Sequence, residues 1–264
     1  REIAVSGIFD PDVLAATVRI STPIVLAAMG GLLCMRAAVF NIALEGFMLV
    51  GAFFAIYVAH LTGSVPVGIV GAMGAGMLMS LIFGLAVLRF RADVIIASIA
   101  INLLALGSTT VLLKTMFESS GVFRPAGLEP LPALIIPVID GIPILGPLVS
   151  GHTPLVYGSF IIVALTYFVL FRTSFGLAVR SVGEAPEAAK TAGLDPDQIR
   201  MTTIIWSGIL CGLAGAHLST GYVFEFSENM VQGRGYTAFT AIVFGAEHPI
   251  WTFFASLVFA FAEA

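Results

Sequence analysis

RTSFGLAVRSVGEAPEAAKTAGLDPDQIR, residues 172–200, is the most charged stretch of a chain that is otherwise strongly apolar. Of the 264 residues, 58% are hydrophobic and 11% are charged. Eight of the 28 charged residues (12 Lys and Arg plus 16 Asp and Glu) lie within these 29 positions. The eight are Arg172, Arg180, Glu184, Glu187, Lys190, Asp195, Asp197 and Arg200. Such a segment is expected to lie in water, and the apolar segments on either side of it are expected to be buried away from water.

The same stretch carries the local signals of helix starts and stops. Pro186 suits the first turn of a helix, and Gly193 can end that helix in the left-handed conformation that glycine favours. Asp195 is then an N-cap, with Pro196 at the first helical position and Gln198 completing an Asp variant of the capping box. The pattern predicts a short, rigid, charged helix between two membrane spans. It is either a solvated connection or a docking element that a soluble partner pushes and pulls.

The rest of the composition is that of a helical membrane protein. Mean hydropathy is +1.03, and several apolar runs approach the roughly 20 residues that a helix needs to cross a bilayer. We predict an all-α, polytopic membrane protein with about eight to ten transmembrane or half-membrane helices in a single transmembrane domain over residues 1–264. Because the sequence stops inside an apolar run, we expect it to be truncated at its C-terminus. Spans are predicted at about 13–35, 39–60, 65–88, 93–114, 154–171 and 201–222, followed by shorter runs at about 236–246 and 250–262.

Several classes of function are excluded by what the sequence lacks. There is no phosphate-binding G-x-x-x-x-G-K-[ST] motif, so this chain is not expected to hydrolyse ATP itself. The two cysteines lie in apolar runs and the four histidines lack ligand spacing, so neither a metal nor another cofactor is expected. No basic patch with interleaved aromatic residues suggests nucleic acid.

Positive residues predict the orientation, because loops rich in Lys and Arg tend to remain in the cytoplasm. If every apolar run crosses once, one side carries Arg36, Arg89, Arg91 and the four positive residues of 172–200. The other side carries Arg1, Lys114, Arg124 and Arg234. We therefore place residues 172–200 in the cytoplasm. The Pro- and Gly-rich segment 115–153 then lies outside, as a cap or a re-entrant structure.

Small residues recur at intervals of four on two spans, which predicts close packing of neighbouring helices. The two stripes are Gly68, Ala72 and Gly76 on the third span, and Gly208, Gly212 and Ala216 on the sixth. We interpret both as packing surfaces and not as contacts with a substrate.

Four polar residues inside the spans are candidates for a pathway through the membrane. Asn41 and Glu45 are four residues apart, so on a helix they would share one face. A carboxylate within a span usually faces the bundle interior or a water-filled path, and here a structural role and a pathway role stay equally open. Asn102, with Ser98 one turn earlier, is the second candidate, against an interhelical hydrogen bond as the alternative.

Residues 233–246 (GRGYTAFTAIVFGA) are too few to span a membrane and are bracketed by glycines and by His248–Pro249. This predicts a half-helix. The ending VFGA echoes LVGA at 49–52, and a duplicated unit would be inverted, which is how many transporters place a site near the membrane midplane.

Four stretches resemble a known family. They are TPIVLAAMGGLLCMRAAVFNIALEGFMLVGAF (22–53), VGEAPEAAKTAGLDPDQIR (182–200), SGILCGLAGA (207–216) and GRGYTAFTAIVFG (233–245). Together they resemble the permease subunits of bacterial ABC importers for simple sugars, nucleosides and branched-chain amino acids, the nucleoside branch most of all. Ala38 and Ala43 stand where glycines are usual and Met35–Arg36 where an acidic–Arg pair is common, so that turn is expected to differ.

The resemblance implies a pore-forming subunit that does no chemistry itself, in the bacterial cytoplasmic (inner) membrane and surrounded by lipid. It implies a second permease subunit, in a hetero- or homodimer, ATP-binding cassette subunits, and an external substrate-binding protein or lipoprotein. Residues 172–200 would be the cytoplasmic coupling loop, with small alanines allowing close approach and charges fixing the register. The residues expected to couple to the ATPase are Gly183, Glu184, Glu187, Ala188, Ala189, Lys190 and Gly193.

Two other classes of function remain as alternatives. An ion-coupled secondary transporter would use Glu45 as the group that titrates. An integral membrane enzyme is less favoured, because no nucleophile–base or metal constellation is visible.

Overall fold

The computed structural model describes residues 11–118, 121–125, 130–134, 150–222 and 224–264. Ten α-helices lie within these ranges. They are α1 (Pro11–Arg36), α2 (Leu44–Thr62), α3 (Val65–Gly84), α4 (Val94–Phe117), α5 (Pro154–Arg172), α6 (Ser174–Glu184), α7 (Pro186–Thr191), α8 (Pro196–Ala216), α9 (Arg234–Phe244) and α10 (Pro249–Glu263). Helix α3 continues into a π-helical turn, Leu85–Arg89, and α8 into another, His217–Tyr222.

Six of these helices, α1 to α5 and α8, are long and apolar enough to cross a membrane. They confirm the six predicted spans and the all-α membrane fold. Local signals explain where several helices begin. Asp93 accepts hydrogen bonds from the amides of Ile95 and Ile96, both at 3.0 Å, and so caps α4. Pro154 and Pro249 stand at the first positions of α5 and α10, where a missing amide hydrogen costs nothing.

The centre of the bundle is α8, which packs against α1, α2 and α3. The two stripes of small residues, each predicted to allow close packing, meet there and pack on each other. A Cβ on Gly76 would overlap the carbonyl of Gly208, and one on Gly212 would overlap that of Ala72. A Cβ on Gly51 of α2 would lie 2.6 Å from the Cα of Gly212. The helix backbones therefore touch directly, which larger side chains would prevent.

The predicted cap at 115–153 lies partly outside the described residues. What is described includes a feature that the sequence did not predict, a two-stranded antiparallel ribbon. Strand β1 (Val122–Phe123) pairs with β2 (Phe226–Ser227), with Phe123 opposite Phe226. The rings of Phe117 and Phe123 stack with centroids 3.6 Å apart, which ties the ribbon to the end of α4.

The charged stretch 172–200 contains two short helices before α8, where one had been predicted. Helix α6 ends at Glu184, Ala185 breaks the chain direction, and α7 begins at Pro186. The predicted signals around α7 are confirmed: Gly193 has a φ of +87°, and Asp195 accepts from the amides of Asp197 and Gln198 at 3.0 and 3.3 Å. The sequence analysis did not predict α6, because its buried face consists of one glycine and two valines, which are weak helix formers, in a segment that is otherwise charged.

The predicted half-helix is confirmed as α9. It begins after Gly233, which has a φ of +88°, and has 11 residues. Helix α10 follows after a tight turn and packs against both α9 and α1. We call α9, the turn 245–248 and α10 the α9–α10 hairpin.

Candidate functional site

The predicted helix from Asn41 to Glu45 is wrong, because α2 begins only at Leu44. Asn41 lies in the connection between α1 and α2. Its side-chain oxygen accepts from the amide of Ala43 at 3.0 Å, a local bond that competes with helix formation. Its amide nitrogen donates to the hydroxyl of Ser207 on α8 at 3.1 Å. Asn41 is buried, so its hydrogen bonds fix this connection inside the protein.

Glu45 joins the start of α2 to the start of α9. Its two carboxylate oxygens accept from the backbone amides of Gly233 and Gly235, each at 2.8 Å. The side chain is only 8% exposed. Both helices direct their N-terminal ends, which carry partial positive charge and unpaired amides, toward this carboxylate. Gly235 permits the approach, because a Cβ there would overlap the backbone of Glu45. We call Glu45, Gly233 and Gly235 the Glu45 junction.

The Glu45 junction is separated from the turn at the other end of α9 by about half the thickness of a hydrocarbon core. Helix α9 has 11 residues, or roughly 16 Å at about 1.5 Å per residue, which is half of a hydrocarbon core of roughly 30 Å. The other end of α9 reaches the terminus of α1. Arg234, which the sequence placed in a loop on the outer side, is instead the first residue of α9, and its side chain is 18% exposed. Its guanidinium pairs with the carboxylate of Glu263 on α10.

Ser98 and Asn102 of α4 bind the backbone at the start of α2. The hydroxyl of Ser98 accepts from the amide of Ile42 at 3.3 Å. The side chain of Asn102 donates to the carbonyl of Ile42 at 3.2 Å and accepts from the amide of Gly46 at 2.8 Å. These side chains satisfy backbone groups that lack helical partners where the chain enters α2. The structure thus brings all four predicted pathway residues to one place.

One side of this cluster is open. Asn102 is partly exposed and donates to the hydroxyl of Tyr236 at 3.0 Å. Tyr236 is 46% exposed and Phe40 is 51% exposed. The ring of Phe40 packs against that of Phe239, with centroids 5.6 Å apart. We call Phe40, Asn102, Tyr236 and Phe239 the open face.

Sequence reasoning did not identify the aromatic residues of the open face. Asn41, Glu45 and Ser98 are buried, so Asn102 is the member of the predicted set that reaches this surface. The one sequence feature that could have indicated this surface is the position of Tyr236, an aromatic residue in the first turn of a predicted half-helix. Its neighbour Asn102 is distant in sequence, so their contact had no local pattern.

A second contact site surrounds the C-terminus of α1. The guanidinium Nε of Arg36 donates to the backbone carbonyl of Glu247 at 2.8 Å, and the Glu247 carboxylate is 3.8 Å away. Nε of Arg200 donates to the carbonyl of Ala37 at 3.1 Å. Gly183 of α6 lies so close to Arg36 that a Cβ would overlap the Arg36 carbonyl oxygen. We call Arg36, Gly183, Arg200 and Glu247 the Arg36 junction.

The chain around the Arg36 junction is strained. Ala38, Ala246 and Glu247 have φ angles of +56°, +49° and +55°, in the left-handed region that normally favours glycine. Each such residue costs on the order of 1 to 3 kcal/mol and persists only where its surroundings determine the conformation. The hydrogen bond from Arg36 to Glu247 is one such constraint.

The predicted coupling residues divide into an exposed group and a buried one. Exposed residues are Glu184, Glu187, Ala188, Lys190 and Gly193. Ala189 is only 4% exposed, because it faces the protein's own core, so the prediction that it lies on the docking face is wrong. Gly183 is also turned inward, toward Arg36. Leu177 of α6 is 61% exposed and adds an apolar contact that the sequence did not single out.

The described residues contain no group of three or more His, Cys, Asp or Glu side chains that could hold a metal ion. The polar residues of the Glu45 junction and the open face bind backbone and one another. Their arrangement can hold helices in place and present aromatic and amide groups to a solute.

Comparison with known proteins finds a matching family and several relatives whose descriptions agree with one another. The sequence model of the family described as branched-chain amino acid transport system / permease component matches residues 13–264. The guanosine ABC transporter permease protein NupQ of Bacillus subtilis is 36% identical over 261 residues, which cover 96% of this chain and 81% of that protein. The nucleoside ABC transporter permease protein NupC of Lactococcus lactis is 32% identical, over 90% of this chain and 77% of that protein.

A third relative is the putative glucose ABC transporter permease protein TsgC13 of Haloferax volcanii. It is 30% identical, over 91% of this chain and 72% of that protein. No solved structure matches the chain.

Proposed function

Because this chain belongs to the family of branched-chain amino acid transport system permease components, we propose that it carries a nucleoside or a simple sugar through the membrane. It is a permease subunit of an ABC transporter, a multi-pass protein of the cytoplasmic membrane and not an enzyme. Its relatives support this function and not the ion-coupled alternative.

Permeases of this kind act with ATP-hydrolysing subunits and a substrate-binding protein. We propose three finer features: residues 1–264 form one transmembrane permease domain, a second permease subunit pairs with this chain, and the external partner is a binding protein or lipoprotein. The open face supports the second subunit. A surface with Tyr236 46% exposed and Phe40 51% exposed becomes an enclosed path only when another wall covers it.

The substrate proposal is carried by the open face, beside the start of α9. Exposed aromatic rings beside an amide suit a solute that has both a flat face and hydrogen-bonding edges. Stacking of a base on an aromatic ring contributes roughly 1 to 3 kcal/mol. A nucleoside therefore fits the open face better than a branched aliphatic substrate does. Glu45, Asn41 and Ser98 support this face from behind and do not contact the solute.

Uptake into proteoliposomes that contain the whole importer tests the substrate and the face together. We expect labelled guanosine to be taken up and to be displaced by other nucleosides more strongly than by glucose. Tyr236→Ala should raise the KM for uptake about tenfold through loss of stacking. The control is Phe244→Ala, on the same helix and 75% exposed but outside the open face. Equal effects of the two substitutions would refute the assignment of the open face.

We also propose that residues 172–200 dock the ATP-hydrolysing subunit. Support comes from exposure: the helices α6 and α7 present Leu177, Glu184, Ala188 and Lys190 at the surface, while Ala189 and Gly183 hold the segment to the bundle. Charges of both signs around a small apolar centre suit a specific partner, since they fix the register of docking.

The docking proposal is tested by enlarging its exposed centre. Ala188→Trp should abolish co-purification of the ATP-hydrolysing subunit while the detergent-purified permease remains monodisperse. Gly193→Val should act similarly, because a β-branched residue resists the φ of +87° that ends this segment. The control is Ala100→Trp, an exposed alanine of α4 that lies outside residues 172–200 and outside the cavity lined by Asp197 and Arg200. Normal co-purification with Ala188→Trp would show that the segment is only a connection.

A further inference from the structure

We propose that Arg36 transmits movement of α6 and α7 to the α9–α10 hairpin. This inference rests on the proposed function, since it takes residues 172–200 as the place where the ATP-hydrolysing subunit acts. Arg36 is then a positioning residue. It acts through Glu247 on the hairpin that carries Tyr236 and has no contact with the substrate of its own.

The input side of this connection is the backbone of Gly183. It stands in the last turn of α6, against the terminus of α1, where a Cβ would overlap the Arg36 carbonyl oxygen and lie 3.0 Å from its carbon. Packed protein interiors have low compressibility. A displacement of α6 toward α1 therefore moves the Arg36 peptide with it.

The output side is the hydrogen bond from Arg36 to the carbonyl of Glu247, at 2.8 Å. A cavity of about 290 Å³ borders this bond, lined by Arg180 and Glu184 from α6 and by Glu247 from the turn. Helix α6 and the turn thus face each other across open space. The guanidinium of Arg36, on α1, connects the two sides.

The turn that Arg36 holds is suited to changing shape. Ala246 and Glu247 both adopt left-handed φ angles, +49° and +55°, without being glycine. A conformation of that kind is set by its surroundings, so moving the surroundings moves the turn. Helix α9 ends at Phe244, immediately before this turn, and bears Phe239 of the open face between the turn and the Glu45 junction. Rotation at the turn therefore changes the open face.

The test uses the complete importer in proteoliposomes, with its ATP-hydrolysing subunits and substrate-binding protein. The quantity measured is labelled guanosine taken up per ATP hydrolysed. We expect Arg36→Ala to keep the ATP-hydrolysing subunit bound and its basal ATPase rate intact, while uptake per ATP falls at least tenfold. The control Arg89→Ala removes an exposed arginine elsewhere on the chain and should leave this ratio unchanged.

A second variant separates transmission from simple stabilisation of the turn. Glu247→Gly removes the cost of the left-handed φ but keeps the carbonyl that Arg36 binds, so alone it should leave uptake per ATP unchanged. Combined with Arg36→Ala, it restores a relaxed turn but not the connection to α1. If the double variant regains wild-type uptake per ATP, Arg36 is merely structural and the proposal is overturned.

Gly183→Ala tests the order of the steps. If Gly183 and Arg36 act in series, the Gly183→Ala, Arg36→Ala double variant is no worse than the more damaged single variant. Effects that multiply would overturn the proposal. Loss of the ATP-hydrolysing subunit with Arg36→Ala would also overturn it, because the arginine would then act in docking. Failure of the proposed docking function itself is seen separately, in co-purification with Ala188→Trp.

Discussion

The two ends of helix α9 are held by opposite chemistry. At the Glu45 junction, a carboxylate accepts two backbone amides at 2.8 Å each, and its side chain is 8% exposed. At the Arg36 junction, a guanidinium donates to one backbone carbonyl, and the Arg36 side chain is 23% exposed. The first contact is doubled and buried. The second has one hydrogen bond and a longer ion pair of 3.8 Å with the Glu247 carboxylate, and it lies at a strained turn beside a cavity.

This difference indicates that one end of α9 is anchored and the other can be moved. Breaking the buried contact leaves polar groups without partners in a membrane interior, so it should damage folding. Breaking the exposed contact leaves groups that water can reach, so it should damage function more than folding. Four substitutions test this difference between the two ends.

The largest effect is expected from Glu45→Leu. It leaves the amides of Gly233 and Gly235 unpaired, at a cost of roughly 1 to 3 kcal/mol each. We expect the yield of monodisperse detergent-purified protein to fall at least tenfold. Glu45→Gln keeps one acceptor oxygen but turns an NH2 group, which cannot accept, toward the other glycine amide, so it should cost about 1 to 3 kcal/mol and lower the yield less than Glu45→Leu does. A Glu45→Gln protein that assembles normally but does not transport would instead favour an ionisable coupling role.

Gly235→Ala should break the same junction less completely. The new Cβ overlaps the backbone of Glu45, and overpacking of this kind costs about 1 to 3 kcal/mol. We expect a lower thermal midpoint in detergent, with part of the transport activity retained. The matched control is Gly74→Ala, where the new Cβ meets nothing within 4 Å. Equal midpoints for the two variants would show that α2 and α9 separate easily.

Arg200→Ala removes a neighbour of the Arg36 junction. The lost hydrogen bond to the Ala37 carbonyl, 3.1 Å long, is partly exposed and contributes about 1 kcal/mol. The expected result is a small fall in thermal midpoint with normal assembly. A loss of assembly comparable to that of Glu45→Leu would mean that both ends of α9 are anchored alike.

The smallest effect, and one of opposite sign, is expected from Glu247→Gly. Relief of the left-handed φ of +55° should stabilise the turn by about 1 kcal/mol. The thermal midpoint should rise slightly, measured beside Glu184→Gly as a control, which introduces glycine at the end of α6. A fall in midpoint with Glu247→Gly would show that its side chain contributes more than its strain costs.

The features that the sequence predicted are those with a local cause. The lengths of the apolar runs predicted the six spans. The spacing of glycine and proline predicted the half-helix α9. Asp195 and Gly193 marked helix ends, because each acts on the backbone next to it. The stripes of small residues on α3 and α8 followed from periodicity, whereas their packing on each other was not predicted. The four candidate polar residues do converge, although Asn41 was wrongly placed on a helix.

The features that the sequence missed depend on distant neighbours. Arg36 and Glu247 are 211 residues apart, and Asn102 and Tyr236 are 134 apart, so no local pattern records either contact. Ala189 was assigned to the surface because α7 looked uniformly small and charged. Only packing against the bundle decides which of its alanines is buried.

The length of α9 also bears on how the protein is made. Gly233 follows Glu45 by 188 residues, so during synthesis α2 is complete long before its partner amides exist. Eleven residues are too few to cross a bilayer alone, so α9 is inserted together with α10 as a hairpin. The growing chain therefore holds a carboxylate in α2 whose binding partners have not yet been translated. Insertion of the hairpin supplies them.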